Sequence, residues 1–144
     1  MKLTLDQMLL QAATVAARAH SRMVRKDGTP YIAHPIRVAI RCATVEEKIV
    51  ALLHDVVEDT DMTLNDLREL GFSEEIIAAV DSVTKRPGEK YVDFILRAKL
   101  NKIGRKVKLA DIADNLEDQS ALDPDEAEFL KNRYEKARVE LESA

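Results

Sequence analysis

Ten residues, Ala51-Leu52-Leu53-His54-Asp55-Val56-Val57-Glu58-Asp59-Thr60, narrow the folds open to this chain more than any other stretch. At about 100° per residue, a helix puts Glu58 roughly 40° from His54 and Asp59 roughly 40° from Asp55. All four polar side chains then fall within an arc of about 140°. Leu52, Leu53, Val56 and Val57 cover the remaining circumference, and Ala51 sits beneath the polar arc. A helix apolar on nearly every side but one belongs in the core of a helical bundle. Its polar side gathers one imidazole and three carboxylates, and ionised carboxylates this close repel one another. A divalent cation is the economical compensation. The alternative is a solvated acidic face with a helix-capping histidine.

The flanking sequence reads as helix almost throughout. Thr4 and Gln7 have capping-box spacing, and apolar residues at Leu5, Met8, Leu9, Ala12, Ala16 and Ala19 predict a helix to about Val24. His20 near its end reads as structural. Asp27-Gly28-Thr29-Pro30 is the clearest turn, and Arg25, Lys26, Tyr31 and His34 border it. Such a loop can form an anion-binding rim or an ordinary charged surface. Pro35 suits the first position of a helix reaching Ala43, which puts His34 at a helix entrance. Thr44 and Glu47 form a second capping box, opening the central helix through the acidic cluster to Thr60 and Asp61. Thr63 caps a short helix that Gly71 closes, and Ser73 caps another to about Lys85. Lys90 to Leu100 predicts a helix burying Tyr91, Phe94, Ile95 and Leu100. Asn101 to Asp118 carries Asp111 inside an apolar set, where a lone carboxylate is costly. Asn115 and Asp118 share its face. Asp123-Pro124-Asp125-Glu126 starts a last helix to about Leu141. No strand is predicted, so the fold class is all-α.

Net charge bounds the partners. The chain of 144 residues has a formal charge of −4, which argues against broad nucleic-acid affinity. Its single cysteine, Cys42, excludes an internal disulfide and fits a reducing compartment. No apolar run is long enough to span a membrane, and no signal-peptide pattern is visible. The expected location is cytoplasmic, with no nucleic-acid or membrane partner, and homo-oligomerisation is left open.

His54-Asp55 followed by Glu58-Asp59-Thr60 resembles the HD-domain metal-dependent phosphohydrolases, most closely the hydrolase domain of the RelA/SpoT alarmone enzymes and their small single-domain relatives. Three further segments match in order. They are Arg25-Lys26-Asp27-Gly28-Thr29-Pro30-Tyr31-Ile32-Ala33-His34-Pro35, then Val83-Thr84-Lys85, then Val107-Lys108-Leu109-Ala110-Asp111 with Asn115. The resemblance implies a single HD-domain helical bundle over residues 1–144. It implies His34, His54, Asp55 and Asp111 as ligands of Mn²⁺. The mixed nitrogen and oxygen donors agree with a divalent transition metal better than with magnesium, and leave Fe²⁺ or Zn²⁺ open. Glu58 and Asp59 are expected to orient the attacking water and move its proton. Arg25, Lys26, Tyr31 and Asn115 are the expected substrate contacts, Arg25 and Lys26 by countering phosphate charge and Asn115 in the nucleoside pocket.

The expected activity is hydrolysis of guanosine 3′,5′-bis(diphosphate), releasing the 3′ pyrophosphate. The alternatives are the same chemistry on another phosphorylated nucleotide, or a nucleotide-binding module without turnover. Glu117 and Asp118 stand where the alarmone hydrolases usually carry Arg and Thr. Acids there are expected to repel a polyphosphate or to face a different part of it.

Overall fold

The computed structural model describes residues 3–118 and 122–144, and within them the fold is entirely helical. The helices are α1 (Leu5–Ala19), α2 (Ala33–Arg41), α3 (Val45–Leu53), α4 (Val56–Asp59), α5 (Leu64–Glu69), α6 (Glu74–Ser82), α7 (Tyr91–Leu100), α8 (Lys102–Glu117) and α9 (Pro124–Glu142). No strand occurs among the described residues; Val24 and Pro30 form one isolated bridge.

Local signals place the helix starts. Thr4 and Gln7 form the expected capping box, as do Thr44 and Glu47. A third, Thr63 with Asp66, opens α5, and Asp123 caps α9 ahead of Pro124. Each cap satisfies amide hydrogens that the first turn cannot use. α3 is the hub: it packs against α1, α2, α6 and α8. Ile49, Val50, Ala51 and Leu53 are fully buried there. Each such side chain contributes about 1.5–3 kcal/mol of transfer free energy, with alanine contributing less.

Four expectations differ from the structure. First, α1 ends at Ala19 rather than near Val24. The chain turns at His20 so that Val24 can pair with Pro30, with the Tyr31 N–H donating to the Met23 carbonyl at 2.9 Å. Second, α2 begins two residues before Pro35, so His34 lies inside its first turn. Third, the central helix breaks at His54-Asp55 instead of continuing to Asp59. Fourth, Leu100 is 87% exposed, because the α7 stripe that faces the core is Phe94, Ile95 and Ala98.

Candidate active site and metal centre

The break after α3 aims the central pair. His54 is helical in φ and ψ (−61°, −29°), but its N–H reaches only the Ala51 carbonyl, at 3.4 Å. Asp55 then starts α4, its carbonyl accepting from the Asp59 N–H at 2.9 Å. The His54 Nδ1 lies 2.5 Å from the Ala51 carbonyl oxygen, which can only accept. Nδ1 therefore carries a hydrogen, and Nε2 is the nitrogen left to face the carboxylates. That Nε2 is buried without a hydrogen-bond partner. It lies 3.0 Å from Asp55 Oδ2 and 3.3 Å from Asp111 Oδ1.

His34 completes the cluster from α2. Its Nδ1 donates to Asp114 Oδ2 at 2.7 Å, and its Nε2 faces Asp111 Oδ1 at 2.8 Å. One ligand atom each from His34, His54 and Asp111 lies within 4.8 Å of the others. These buried donors could hold a divalent cation. Two imidazole nitrogens converging on one carboxylate oxygen, one of them unpartnered, are the donor arrangement that a transition metal requires. Asp55, the fourth predicted ligand, borders this cluster. Its Oδ2 touches His54 Nε2 and accepts from the Tyr31 hydroxyl.

Electrostatics bind the group together. Burial disfavours the His54 imidazolium, but Asp55 and Asp111 outweigh it and push its pKa well above the ordinary value. Burial raises Asp55, yet His54 and the Tyr31 hydroxyl hold it at about 2. Asp111 stays well below the carboxylate range despite burial, through Lys108, His54 and His34. Lys108 Nζ donates to Asp111 Oδ2 at 2.9 Å and sits 4.7 Å from the centre of the Phe94 ring. The opposite oxygen, Oδ1, is left to the imidazoles and to Asn115, whose Nδ2 donates at 3.3 Å.

Glu58 and Asp59 are solvent-facing at the end of α4. Glu58 Oε1 accepts from the Lys85 N–H at 2.7 Å, which fixes it against the loop after α6. Asp59 is pushed up to about 6 by partial burial and by the charges of Asp55 and Glu58. A carboxyl poised there can take and return a proton near neutral pH.

Beside the cluster lies a cavity of about 360 Å³. All four expected substrate contacts belong to this region, and Arg25, Lys26, Tyr31 and Asn115 line it together with Asp118 and Tyr134. Arg25 pairs with Asp118 at 3.1 Å, and Lys26 with Glu126 at 3.0 Å. The acids at 117 and 118 are neutralised. Asp118 Oδ2 also takes Arg37 at 3.1 Å, and Glu117 pairs with Arg41. The expected repulsion is therefore countered by three guanidinium groups. His20 keeps its structural role, its ring 4.9 Å from that of Tyr31.

Three residues of this site escaped the sequence reading. Asp114 receives the His34 Nδ1 proton, Arg37 grips both Asp114 oxygens at 2.9 and 3.1 Å, and Tyr134 lines the cavity. Asp114 follows Asp111 at i+3 and Arg37 follows His34 at i+3, a spacing that puts each on the inward face of its helix. Tyr134 reads as an apolar patch on a charged helix, and nothing in its spacing marks it as a cavity residue.

Comparison with known proteins identifies relatives of the chain. The HD domain family profile matches residues 12–110. Guanosine-3′,5′-bis(diphosphate) 3′-pyrophosphohydrolase MESH1 of Homo sapiens is 42% identical over 134 residues, covering 81% of this chain and 72% of that protein. The enzyme of the same activity name from Aquifex aeolicus is 36% identical, covering 74% of this chain but 17% of that longer protein. A solved structure described as a metazoan ortholog of SpoT that hydrolyzes ppGpp superposes with a TM-score of 0.77 at 27% identity, covering 93% of this chain and 84% of that one. On the family match over residues 12–110 and the shared architecture, the chain belongs to the HD domain family.

Proposed function

We propose that this chain is a metal-dependent hydrolase that releases pyrophosphate from the 3′ position of guanosine 3′,5′-bis(diphosphate), and that residues 1–144 form one HD hydrolase domain. The observation that carries the chemistry is the unpartnered His54 Nε2, buried and facing Asp55 and Asp111. The substrate rests on the activity named for relatives such as MESH1.

His34, His54, Asp55 and Asp111 would hold the cation, Mn²⁺ by family and donor chemistry, with Fe²⁺ and Zn²⁺ also suited to the set. When bound, it supplies Lewis acidity toward a phosphoryl oxygen and toward water. The protein does the rest. Ala51 and Asp114 fix the two imidazoles so that each presents Nε2 inward. Glu58, anchored by Lys85, orients the water. The Asp59 carboxylate takes the water proton as oxygen attacks the phosphorus and the bond to the ribose 3′ oxygen breaks, and returns that proton to the departing 3′ oxygen, leaving a 3′-hydroxyl. Arg25 and Lys26 counter the phosphate charge, and Asn115 and Tyr31 line the nucleoside side. No described helix is long and apolar enough to cross a membrane. A free buried thiol at Cys42 fits a cytoplasmic enzyme acting on an intracellular nucleotide.

A second reading keeps the chemistry and changes the nucleotide. It is favoured by Arg25 being engaged by Asp118, so that a polyphosphate must compete for it. The test is phosphate and pyrophosphate release from a nucleotide panel, with Mn²⁺ and with chelator. Chelator-sensitive pyrophosphate release confined to guanosine tetraphosphate supports the first reading. Release from another nucleotide moves the substrate, and no release with metal bound leaves a binding module.

A further inference from the structure

A second cavity, of about 580 Å³, opens between α7 and α9 and shares no lining residue with the one beside the metal centre. Successive residues of α9 divide between them. Tyr134 lines the first cavity, whereas Arg133, one residue and about 100° away, lines the second. The floor of this groove is apolar, with Tyr91, Ile95 and Ala137, and its rim carries Lys90, Arg133 and Lys136.

Two features there bear on a ligand. Among the described residues, no carboxylate lies within ion-pair distance of Lys90, Arg133 or Lys136. The one acid in the groove, Glu140, is engaged by Lys99 at 2.7 Å. In a chain of net charge −4, whose guanidinium groups at 25, 37, 41, 68, 86, 97 and 138 are paired with acids, this groove gathers three cations that have no acid partner among the described residues. The second feature is aromatic. Phe129 is 62% exposed at the rim, and the Arg133 guanidinium lies 4.2 Å from the Tyr91 ring centre and 5.5 Å from that of Phe129.

We propose that the α7–α9 groove is a second ligand site, distinct from the metal centre, that takes a phosphorylated nucleoside. The cations supply charge-assisted donors for a phosphate, and Arg133 presents the planar fork that binds phosphate oxygens in pairs. A base is accommodated by stacking on Phe129 or on the guanidinium plane. The volume lies within the range of about 300–1,000 Å³ typical of small-molecule sites. The inference is independent of the reaction proposed for the metal centre.

The test is methyl and amide NMR of the full chain titrated with guanosine 5′-monophosphate, which lacks the 3′ diphosphate. The Ile95 and Ala137 signals report the groove, and those of Leu130 report the other cavity. Saturable shifts at Ile95 and Ala137 are expected, with affinity at least tenfold weaker in the double variant Arg133→Glu/Lys136→Glu. Both side chains are exposed, and the remaining spectrum reports whether the variant is folded. Phe129→Ala is expected to weaken the nucleotide while leaving the response to inorganic phosphate unchanged. The proposal fails if Ile95 and Ala137 stay still, or respond equally in the charge-reversed variant. It fails equally if inorganic phosphate or unphosphorylated guanosine reproduces the shifts at the same concentration, or if only an acidic peptide produces them.

Discussion

Arg97 and Asp111 each anchor a charged network largely withdrawn from water, yet only one network closes. Arg97 gives two N–H groups to the Glu89 carboxylate at 2.7 and 2.8 Å. Two more go to the carbonyls of Asp81 and Thr84, at 2.9 and 2.8 Å. Four of the five guanidinium N–H groups find acceptors, and the loop between α6 and α7 is pinned. Around Asp111, two imidazole nitrogens and an amide crowd one oxygen, and His54 Nε2 is left without a hydrogen-bond partner. A satisfied network stabilises and does nothing else. An unsatisfied one holds charged groups at a common point, where a cation relieves them.

The sharpest way to break this contrast is at Asp111. Asp111→Asn is expected to abolish Mn²⁺ binding by calorimetry and pyrophosphate release with it. It also leaves Lys108 buried without its anion, at about 3–5 kcal/mol in thermal or urea unfolding. A purely structural carboxylate would give the same loss of stability with Mn²⁺ binding and turnover unchanged, and that outcome would remove the metal centre. Asp59→Asn should lower kcat about 10²–10⁴-fold with metal affinity retained. The acidic limb of the rate profile near pH 6 should vanish with it; retention of that limb would reassign the proton transfer.

Asp114→Asn tests the orientation of His34. Replacing a charged acceptor with an amide is expected to weaken Mn²⁺ about 10–100-fold while the protein stays folded. Arg97→Met makes the complementary test. It should cost about 1–3 kcal/mol of stability with Mn²⁺ affinity unchanged. A loss of metal binding in that variant would show that the two networks are not separate.

The smallest effects separate the networks by the sign of their pH dependence. Glu89 is held at about 2 by Arg97, against an ordinary value of 4.5. Its folded pKa is depressed, so its stabilisation is present above 4.5 and lost as pH falls toward 2. In chelator-treated protein His54 behaves oppositely. Its folded pKa is raised, so its contribution is present below 6.5 and lost as pH climbs through the raised value. Unfolding free energies across pH should show acid-side loss missing in Arg97→Met and alkaline-side loss missing in His54→Gln. The reverse assignment would refute the comparison.

Much of this molecule was legible in residues a few positions apart. The capping boxes at Thr4 and Thr44 fell where read, because a cap is satisfied within its own first turn. The apolar stripes of α3 and α6 were equally plain, and four motif segments in order carried the HD resemblance. The break at His54-Asp55 was not legible. The arc of polar residues fits an unbroken helix as well; at the break the Ala51 carbonyl accepts from His54 and the Tyr31 hydroxyl donates to Asp55. Tyr31 lies 24 residues from Asp55 in the chain.

By itself the sequence determined that the chain is helical, where most helices start, and which imidazoles and carboxylates are available. Helix formation and capping are local, settled by spacing and side-chain type. Only the tertiary structure decided that α2 brings His34 against Asp111, that Asp114 and Arg37 orient it, and that Arg25, Arg37 and Arg41 neutralise Asp118 and Glu117. Those partners are 76 to 81 residues apart for the α2 pairs. Charge compensation depends on distance in space, and helical spacing within one segment carries no information about which distant helix arrives with the opposite charge.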